Sequence, residues 1–501
     1  MASMPHINES RRLRDLDPQF LKRYNLVGPR YTSYPTAPEW SEQVGAAAVR
    51  AHMEALREGD GDFFDSQSEC RSRRERPTPN SALRAPRFLR PLSIYVHLPF
   101  CIEHCAFCAC NVIVSPKMEE VSQPYLELLD QEAGLWAGLV DPRRPVTQFH
   151  WGGGTPTYLN PDQLRRVHAM VAGRFPLAPD AEQSIEVHVT WTSDEQLRVL
   201  AALGFNRLSL GVQDFNQRTQ EAIRRRQTYA RTRRIIELAR ELGFQGVNVD
   251  LVYGLPHQTA RTFADTVDKV LELRPDRLAI YNFAYLPEKL AHQRAIDPAA
   301  LPAGEEKFKI FLEAYDRFTG AGYRYIGMDH FALPDDELAR AFDEGTMQRN
   351  FMGFTTRGGA DLLGLGVSAI GSVTNLYAQN VKKLTQYREA LEAGRLPTER
   401  GMLLSQDDLI RRDVIAGLMC RDHVEKKEIE ARHGIEFELY FRKEIERLEP
   451  MVRDELLTIG PDSLDLTFLG RLFVRNIAMV FDAYLNRPHA GKGPILYSRT
   501  V

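Results

Sequence analysis

YVHLPFCIEHCAFCAC, residues Tyr95–Cys110, carries four of the chain's six cysteines in the spacing C-x3-C-x2-C-x-C: Cys101, Cys105, Cys108 and Cys110. The opening MASMPHINESRRLRDLD has no apolar core of leader length, and no run of about 18 apolar residues occurs in the sequence, so a cytoplasmic protein without a membrane span is expected. In that reducing compartment a tight thiol cluster points to metal binding or redox chemistry rather than to disulfides. Zinc takes four N or S ligands, usually from two separated pairs, and no second pair follows. The other reading is iron–sulfur: Cys101, Cys105 and Cys108 can hold three irons of a 4Fe-4S cube and leave the fourth iron open to chemistry. Cys110 is a candidate fourth ligand, although with one residue intervening after Cys108 it is expected to point away from the cube. Cys70 and Cys420 stand alone and read as structural.

Outward from the cluster, short β-like runs alternate with helical patterns. The strand candidates are SIYVHL from Ser93, TQFHW from Thr147, SIEVHV from Ser184, RLSLGV from Arg207, VNVDLVYG from Val247 and RLAIYNF from Arg277. Helices are expected at Tyr125–Leu139, Pro161–Val171, Asp194–Leu203, Tyr229–Leu242 and Thr262–Leu273. This order implies parallel strands with right-handed crossovers, closed or open, and six strands favour a partial barrel over an eight-fold one. Functional groups then belong at the C-terminal strand ends. HWGGGTPT (His150–Thr157) follows the second strand, and its glycines let backbone approach a ligand. Glu186 and Asp250 end the third and fifth strands, and Gln213 follows the fourth. Each alone reads as a structural hydrogen bond, and the three together as ligand contacts.

The remaining chain divides around this barrel. Residues 1–90 form an N-terminal arm and insert, with a turn-rich GPRYTSYPTAPEW (Gly28–Trp40), a helix near Val44–Glu58 and an Arg-, Ser- and Pro-rich loop at 59–90. Residues 91–335 form the barrel, 336–400 a barrel-completing and substrate-pocket segment, and 401–501 a mostly helical C-terminal domain with one strand and a helix near LDLTFLGRLFVRNIAMVFDAYL. At 43% hydrophobic the chain can bury a large core, and 64 basic against 67 acidic residues leave a formal charge of −3, which gives no reason to expect nucleic acid as a partner.

The C-x3-C-x2-C loop after a first barrel strand, with the aromatic Phe107 before the third cysteine, resembles the radical S-adenosylmethionine (SAM) superfamily. GPRYTSYPT, YVHLPFC, HWGGGTPTYL, GFNRLSLGVQDFN, NVDLVYGLPHQT, YIGMDHFALPDDELA, RNFMGFTT, DLLGLGVSAI, YAQN and RRDVI narrow the resemblance to the oxygen-independent coproporphyrinogen III oxidase family. It implies a partial (β/α)6 radical SAM barrel that binds a 4Fe-4S cluster and two SAM molecules. Two propionates of coproporphyrinogen III would become the vinyl groups of protoporphyrinogen IX after a 5′-deoxyadenosyl radical abstracts hydrogen. The family's contacts carry over by motif: Cys101, Cys105 and Cys108 as metal ligands; Tyr95, Gly153, Glu186 and Ile370 for the cluster-bound SAM; Phe107, Gly154, Thr155, Gln213, Arg225, Asp250 and Ala284 for the second. Arg30 and Tyr31, with Tyr34, would lie near the substrate mouth, where arginine suits the substrate's carboxylates. A flavodoxin or ferredoxin is the expected electron donor, and the chain is expected to be a monomer.

One departure stands beside Glu186: the family usually reads E-V-D-P-R and this chain reads E-V-H-V-T, Glu186–Thr190. A radical SAM methyltransferase, a cyclopropane-forming enzyme and a haem chaperone share the barrel motifs and are the alternative functions. The RYTSYPT arm and Cys110 argue against the chaperone, and the reaction product separates the enzymes.

Overall fold

The computed structural model describes residues 16–58, 89–485 and 497–500. Cys70 and all but the last two residues of the expected 59–90 loop lie outside the described residues. A 12-stranded sheet carries the fold. Its first strands are β1 (Leu92–Leu98), β2 (Val146–Gly153), β3 (Leu177–Val187), β4 (Arg207–Gln213), β5 (Gly246–Tyr253) and β6 (Arg277–Asn282). They pair in chain order and in parallel. Helices α1 (Met118–Leu139), α2 (Pro161–Ala172), α3 (Asp194–Ala202), α4 (Tyr229–Glu241) and α5 (Ala260–Leu273) return the chain between them. The partial (β/α)6 barrel is therefore the fold.

One face of these strands is packed and apolar, and the other is polar. Phe149 and Trp151 of β2, Ile185 of β3, Leu208 and Leu210 of β4, Val249 and Leu251 of β5 and Ile280 of β6 are buried in one core with helix residues such as Leu164, Leu197, Ile235 and Phe263. The alternating positions Gln148, His150, Ser184, Glu186, Ser209, Asn248, Asp250 and Tyr281 line an open cleft of about 880 Å³. Period-two alternation thus sets an outward packing face against a polar lumen. Capping boxes at Asn160, Ser193 and Thr259 start α2, α3 and α5 and set the lengths of the crossovers.

Some boundaries differ from the sequence reading. Helix α1 begins at Met118 rather than Tyr125, running through Pro124, and β3 begins at Leu177, well before Ser184. After α6 (Gly304–Gly320), β7 (Arg324–Gly327) and β8 (His330–Ala332) add an antiparallel edge beside β6. Beyond β1, β9 (Asp361–Leu365) supplies a further parallel strand, and β10 (Ile370–Val373), β11 (Leu376–Asn380) and β12 (Thr398–Leu403) continue antiparallel.

A second core organises the C-terminal part around α7 (Gln406–Arg421) and α8 (Val474–Phe481). It also holds three short antiparallel strands, His423–Glu425, Leu457–Ile459 and Ser463–Leu466, where the sequence reading had one. The N-terminal arm buries Tyr24, Tyr31 and Tyr34 in this core, whereas the helix Ala46–Glu58 packs Val49 and Met53 into the barrel's core. Ser41 and Gly401 form a bridge between arm and β12, and Val27 and Arg499 form one between the two ends of the described chain. No helix among the described residues is long and apolar enough to cross a membrane.

Candidate active site

Strand β1 delivers the cysteine loop to the C-terminal rim of the barrel. Its backbone is pinned by Ala106 N–H donating to the Ile223 carbonyl at 2.9 Å and by Cys108 N–H donating to the Cys105 carbonyl at 3.2 Å. The Cys101 sulfur lies 3.6 Å from the Thr155 hydroxyl, and Arg225 Nη1 donates to the Cys105 sulfur at 3.6 Å. Burial pushes the Cys101 thiol up to about 11 and also raises Cys105, while the Cys110 thiol, by hydrogen-bonding to Cys108, brings Cys108 down to about 7. Cys110 therefore turns toward Cys108 rather than away, since residues two apart share a face where the chain is extended. Among the described residues no three His, Cys, Asp or Glu side chains converge as ligands of a single ion would. Thiols that each hold a different corner of a cluster stand farther apart, and the donor set of Cys101, Cys105 and Cys108 fits that arrangement.

The glycine triplet closes against this loop through backbone. Gly154 N–H donates to the Leu98 carbonyl at 2.9 Å and Thr155 N–H to the Phe100 carbonyl at 2.8 Å. Gly153 has φ of +114°, and a Cβ there would stand 2.6 Å from the His97 ring. A Cβ on Gly154 would meet the Phe100 carbonyl oxygen at 2.6 Å. Only glycine allows both approaches. Glu186 accepts from Gly153 N–H at 3.1 Å and faces His150 Nε2 at 3.6 Å. Burial alone would raise the Glu186 carboxyl, but the His150 hydrogen bond and charge, with Gly153, hold it below the usual range.

The other expected residues fall in and around the same cleft. Tyr95 stacks on His150 with ring centroids 5.8 Å apart and pairs its hydroxyl with His97 Nδ1 at 3.0 Å. Asp250 lies three residues inside β5 rather than at its end, since the strand runs on to Tyr253. It accepts from Ser209 at 3.0 Å and Asn248 at 2.8 Å, and burial, then the Glu186 charge, pushes it up to about 6. Gln213 ends β4 at φ +66°, and buried Arg225 donates to the Gly211 carbonyl beside it. Ile370 begins β10, and its carbonyl occupies the space a Cβ on Gly364 would need. Phe107 and Ala284 both offer their carbonyls to Gln293 Nε2, at 3.4 and 3.1 Å. Arg30 is ion-paired with Asp329 and Tyr31 donates to Asp482 at 2.9 Å, so both arm residues are tied to protein partners.

Several side chains that hold this site carried no signal in the sequence reading. Gln293 is fully buried and joins the cysteine loop to the segment after β6. Glu132 is likewise fully buried; it accepts from Gly366 N–H, Asn380 and Tyr387, each at 2.6 Å, and is pushed up to about 7 by burial against those bonds. Tyr125 donates to the His97 carbonyl at 2.7 Å and accepts from Val367 N–H at 3.1 Å. Glu132 and Tyr125 share a helix face at i, i+7 spacing, the one pattern that could have flagged them. In the E-V-H-V-T departure, His188 Nδ1 accepts from Thr190 N–H at 3.2 Å, the bond an aspartate makes in an Asx turn. His188 is held low, to about 2, by burial and by Arg225, so a neutral ring stands where an acid would stand in the family.

A thiol triad and a glycine turn at the rim of a parallel partial barrel define a radical SAM enzyme, and residues 95–270 match the Radical SAM superfamily while 404–473 match the HemN C-terminal domain. The chain is 43% identical over 477 residues to oxygen-independent coproporphyrinogen III oxidase of Escherichia coli (strain K12), spanning 94% of this chain and 96% of that one. It is 42% identical over 471 residues to the protein of the same name from Pseudomonas aeruginosa, at 94% and 96% coverage. The solved structure of the Escherichia coli coproporphyrinogen III oxidase, described as a radical SAM enzyme, superposes with a TM-score of 0.83 at 42% identity over 94% of this chain and 99% of that one. The chain belongs to the oxygen-independent coproporphyrinogen III oxidase family.

Proposed function

We propose that the chain carries out the oxygen-independent oxidative decarboxylation of two propionates of coproporphyrinogen III to vinyl groups, giving protoporphyrinogen IX. The observation that carries this reading is the extent of the family match, which spans 94% of the chain and so takes in the arm and the C-terminal domain as well as the barrel. Cys101, Cys105 and Cys108 would hold the 4Fe-4S cluster, which together with SAM would supply one-electron chemistry.

The chain's own residues position and shield. The Glu186 carboxylate, held ionised by His150, suits the ammonium of the cluster-bound SAM, with Tyr95, Gly153 and Ile370 around it. Phe107, Gly154, Thr155, Gln213, Arg225, Asp250 and Ala284 form the place for a second SAM, with Arg225 for its carboxylate. The arm, with Arg30 and Tyr31, covers the mouth through which coproporphyrinogen III enters, and excludes water and oxygen from the reacting carbon. The chain acts as a monomer and takes electrons from a flavodoxin or ferredoxin. Anaerobic incubation of reconstituted protein with reductant, SAM and coproporphyrinogen III, followed by mass analysis of the tetrapyrrole, tests the reading. Stepwise loss of CO₂ and hydrogen from two propionates is expected. An unchanged or methylated tetrapyrrole with an intact cluster overturns it.

A further inference from the structure

Four carboxylates on the proposed substrate call for cationic partners, and the arm's Arg30 is already committed to Asp329, with its guanidinium 5.8 Å from the Tyr281 ring centroid. The neighbouring Arg349 forms no ion pair among the described residues. It sits in a two-stranded antiparallel ribbon, Gln348–Asn350 with Gly353–Thr355, opposite Phe354, and its guanidinium lies 4.7 Å from that ring. Its Nε and Nη1 are sealed from solvent and have no hydrogen-bond partner among the described residues. The same is true of His330 Nδ1, on a ring packed edge-on to Phe354 at 5.2 Å and to Tyr281 at 6.0 Å. Phe354, His330, Tyr281, Asn350 and Met352 line the cleft that also holds Glu186 and Asp250.

The charge balance around Arg349 is one-sided. Burial and then Arg349 lower Arg30, and burial and then Arg30 lower Arg475 to about 9. Arg475 spends its donors on the carbonyls of Gly28, Pro29 and Arg499. Among the described residues, Asp329 is the one carboxylate in ion-pair contact with any of these three guanidiniums. A guanidinium with sealed, unmade hydrogen bonds is costly in the empty protein and becomes favourable once an anion completes it.

We propose that Arg349 anchors a ligand carboxylate in the barrel cleft, beside Tyr281 and His330. The inference rests on the proposed function for the ligand's chemistry, since a propionate of the tetrapyrrole and the carboxylate of SAM offer the same group. Planar arginine suits this task better than lysine, because its donors are fixed in direction and its face packs on Phe354.

The test is equilibrium binding to anaerobically reconstituted wild type, Arg349→Met and Arg349→Lys. The probes are coproporphyrin III (the stable tetracarboxylate), its tetramethyl ester, and SAM. With Arg349→Met, binding of the carboxylate ligand that Arg349 holds weakens roughly tenfold to a hundredfold. Loss for coproporphyrin III but not for its ester or SAM identifies a propionate; loss for SAM alone identifies the methionine carboxylate. Arg349→Lys recovers part of the affinity. The unfolding midpoint of ligand-free Arg349→Met stays at or above that of wild type, because no native hydrogen bond through these nitrogens is removed. Unchanged affinities for both acids, or equal losses for acid and ester with a lowered ligand-free midpoint, overturn the proposal. Wild type that binds coproporphyrin III without converting coproporphyrinogen III sinks the function and leaves the anchor standing; an active wild type with an unaltered Arg349→Met does the reverse.

Discussion

At the N-terminal mouth of the barrel the guanidiniums of Arg207 and Arg277 meet the carboxylates of Glu182, Asp336 and Glu337, whereas Arg349 and Asp250 form no ion pair among the described residues. Arg277 lies 2.8 Å from Asp336 and 3.1 Å from Glu337, and Arg207 lies 2.7 Å from Glu337 and 3.2 Å from Glu182. The carboxylates titrate accordingly: burial alone would raise Glu337, but Arg207 and Arg277 bring it below its ordinary value, while Asp250 is raised to about 6. One end of the barrel spends its charges on itself. The other leaves Asp250 outside any such pair, toward the end where the loops of a βα fold converge. Gly153 and Gln213 at the rim add positive φ angles, the kind of backbone a stable scaffold avoids and a binding site tolerates.

Substitutions at seven positions break or sharpen this contrast. The largest effect belongs to the thiols: Cys101→Ala, Cys105→Ala or Cys108→Ala abolishes cluster assembly and turnover, whereas Cys110→Ala keeps the cluster, as read by iron and sulfide content of anaerobic protein. A full cluster in any of the first three moves the ligand assignment elsewhere. Next comes Gly153→Ala, which forces a strained φ and a Cβ into the His97 ring. It lowers SAM affinity at least about tenfold and costs about 1–3 kcal/mol of stability; SAM titration that matches wild type would remove the glycine turn from the site.

Arg277→Met should act on the opposite end alone. Leaving Asp336 and Glu337 short of a buried partner costs about 3–5 kcal/mol in denaturant unfolding while SAM affinity stays unchanged. A selective loss of SAM binding instead would erase the distinction between the two ends. Asp250→Asn comes last, and the size of its effect depends on pH. With its folded value raised to about 6, Asp250 keeps a proton that the unfolded chain has released, so stability falls as pH rises from about 4 to 6 and the penalty is complete above that window. The asparagine variant is therefore more stable than wild type near neutral pH, by at most about 3 kcal/mol, and loses that advantage below about pH 4. An advantage that persists in acid would assign the effect to packing rather than charge.

The six parallel strands and their crossovers were legible because each carries a local cue: alternation in β4 and β5, and an Asn, Ser or Thr cap before α2, α3 and α5. The polar members of that alternation, Ser209, Asn248 and Asp250, line the cleft, and a strand packed between two apolar layers would instead read as nearly continuous hydrophobics. β9 was harder to read. DLLGL is buried at all five positions, and a short apolar run does not say which strand it will join. Gln293 and Glu132 were hidden for a related reason: each works by bonding groups far from it in the chain, and a lone Gln or Glu in a helical stretch looks the same whether buried or solvated.

The order of elements, the thiol spacing and the glycine turn after β2 were determined by the sequence alone, because each is a short-range pattern that the backbone must obey wherever it packs. Which charges neutralise one another was decided only by the tertiary structure. Arg30 meets Asp329, His188 takes an aspartate's turn bond, and Arg349 Nε and Nη1 are left without a partner among the described residues, because pairing depends on through-space distance and on water excluded by segments far apart in the chain.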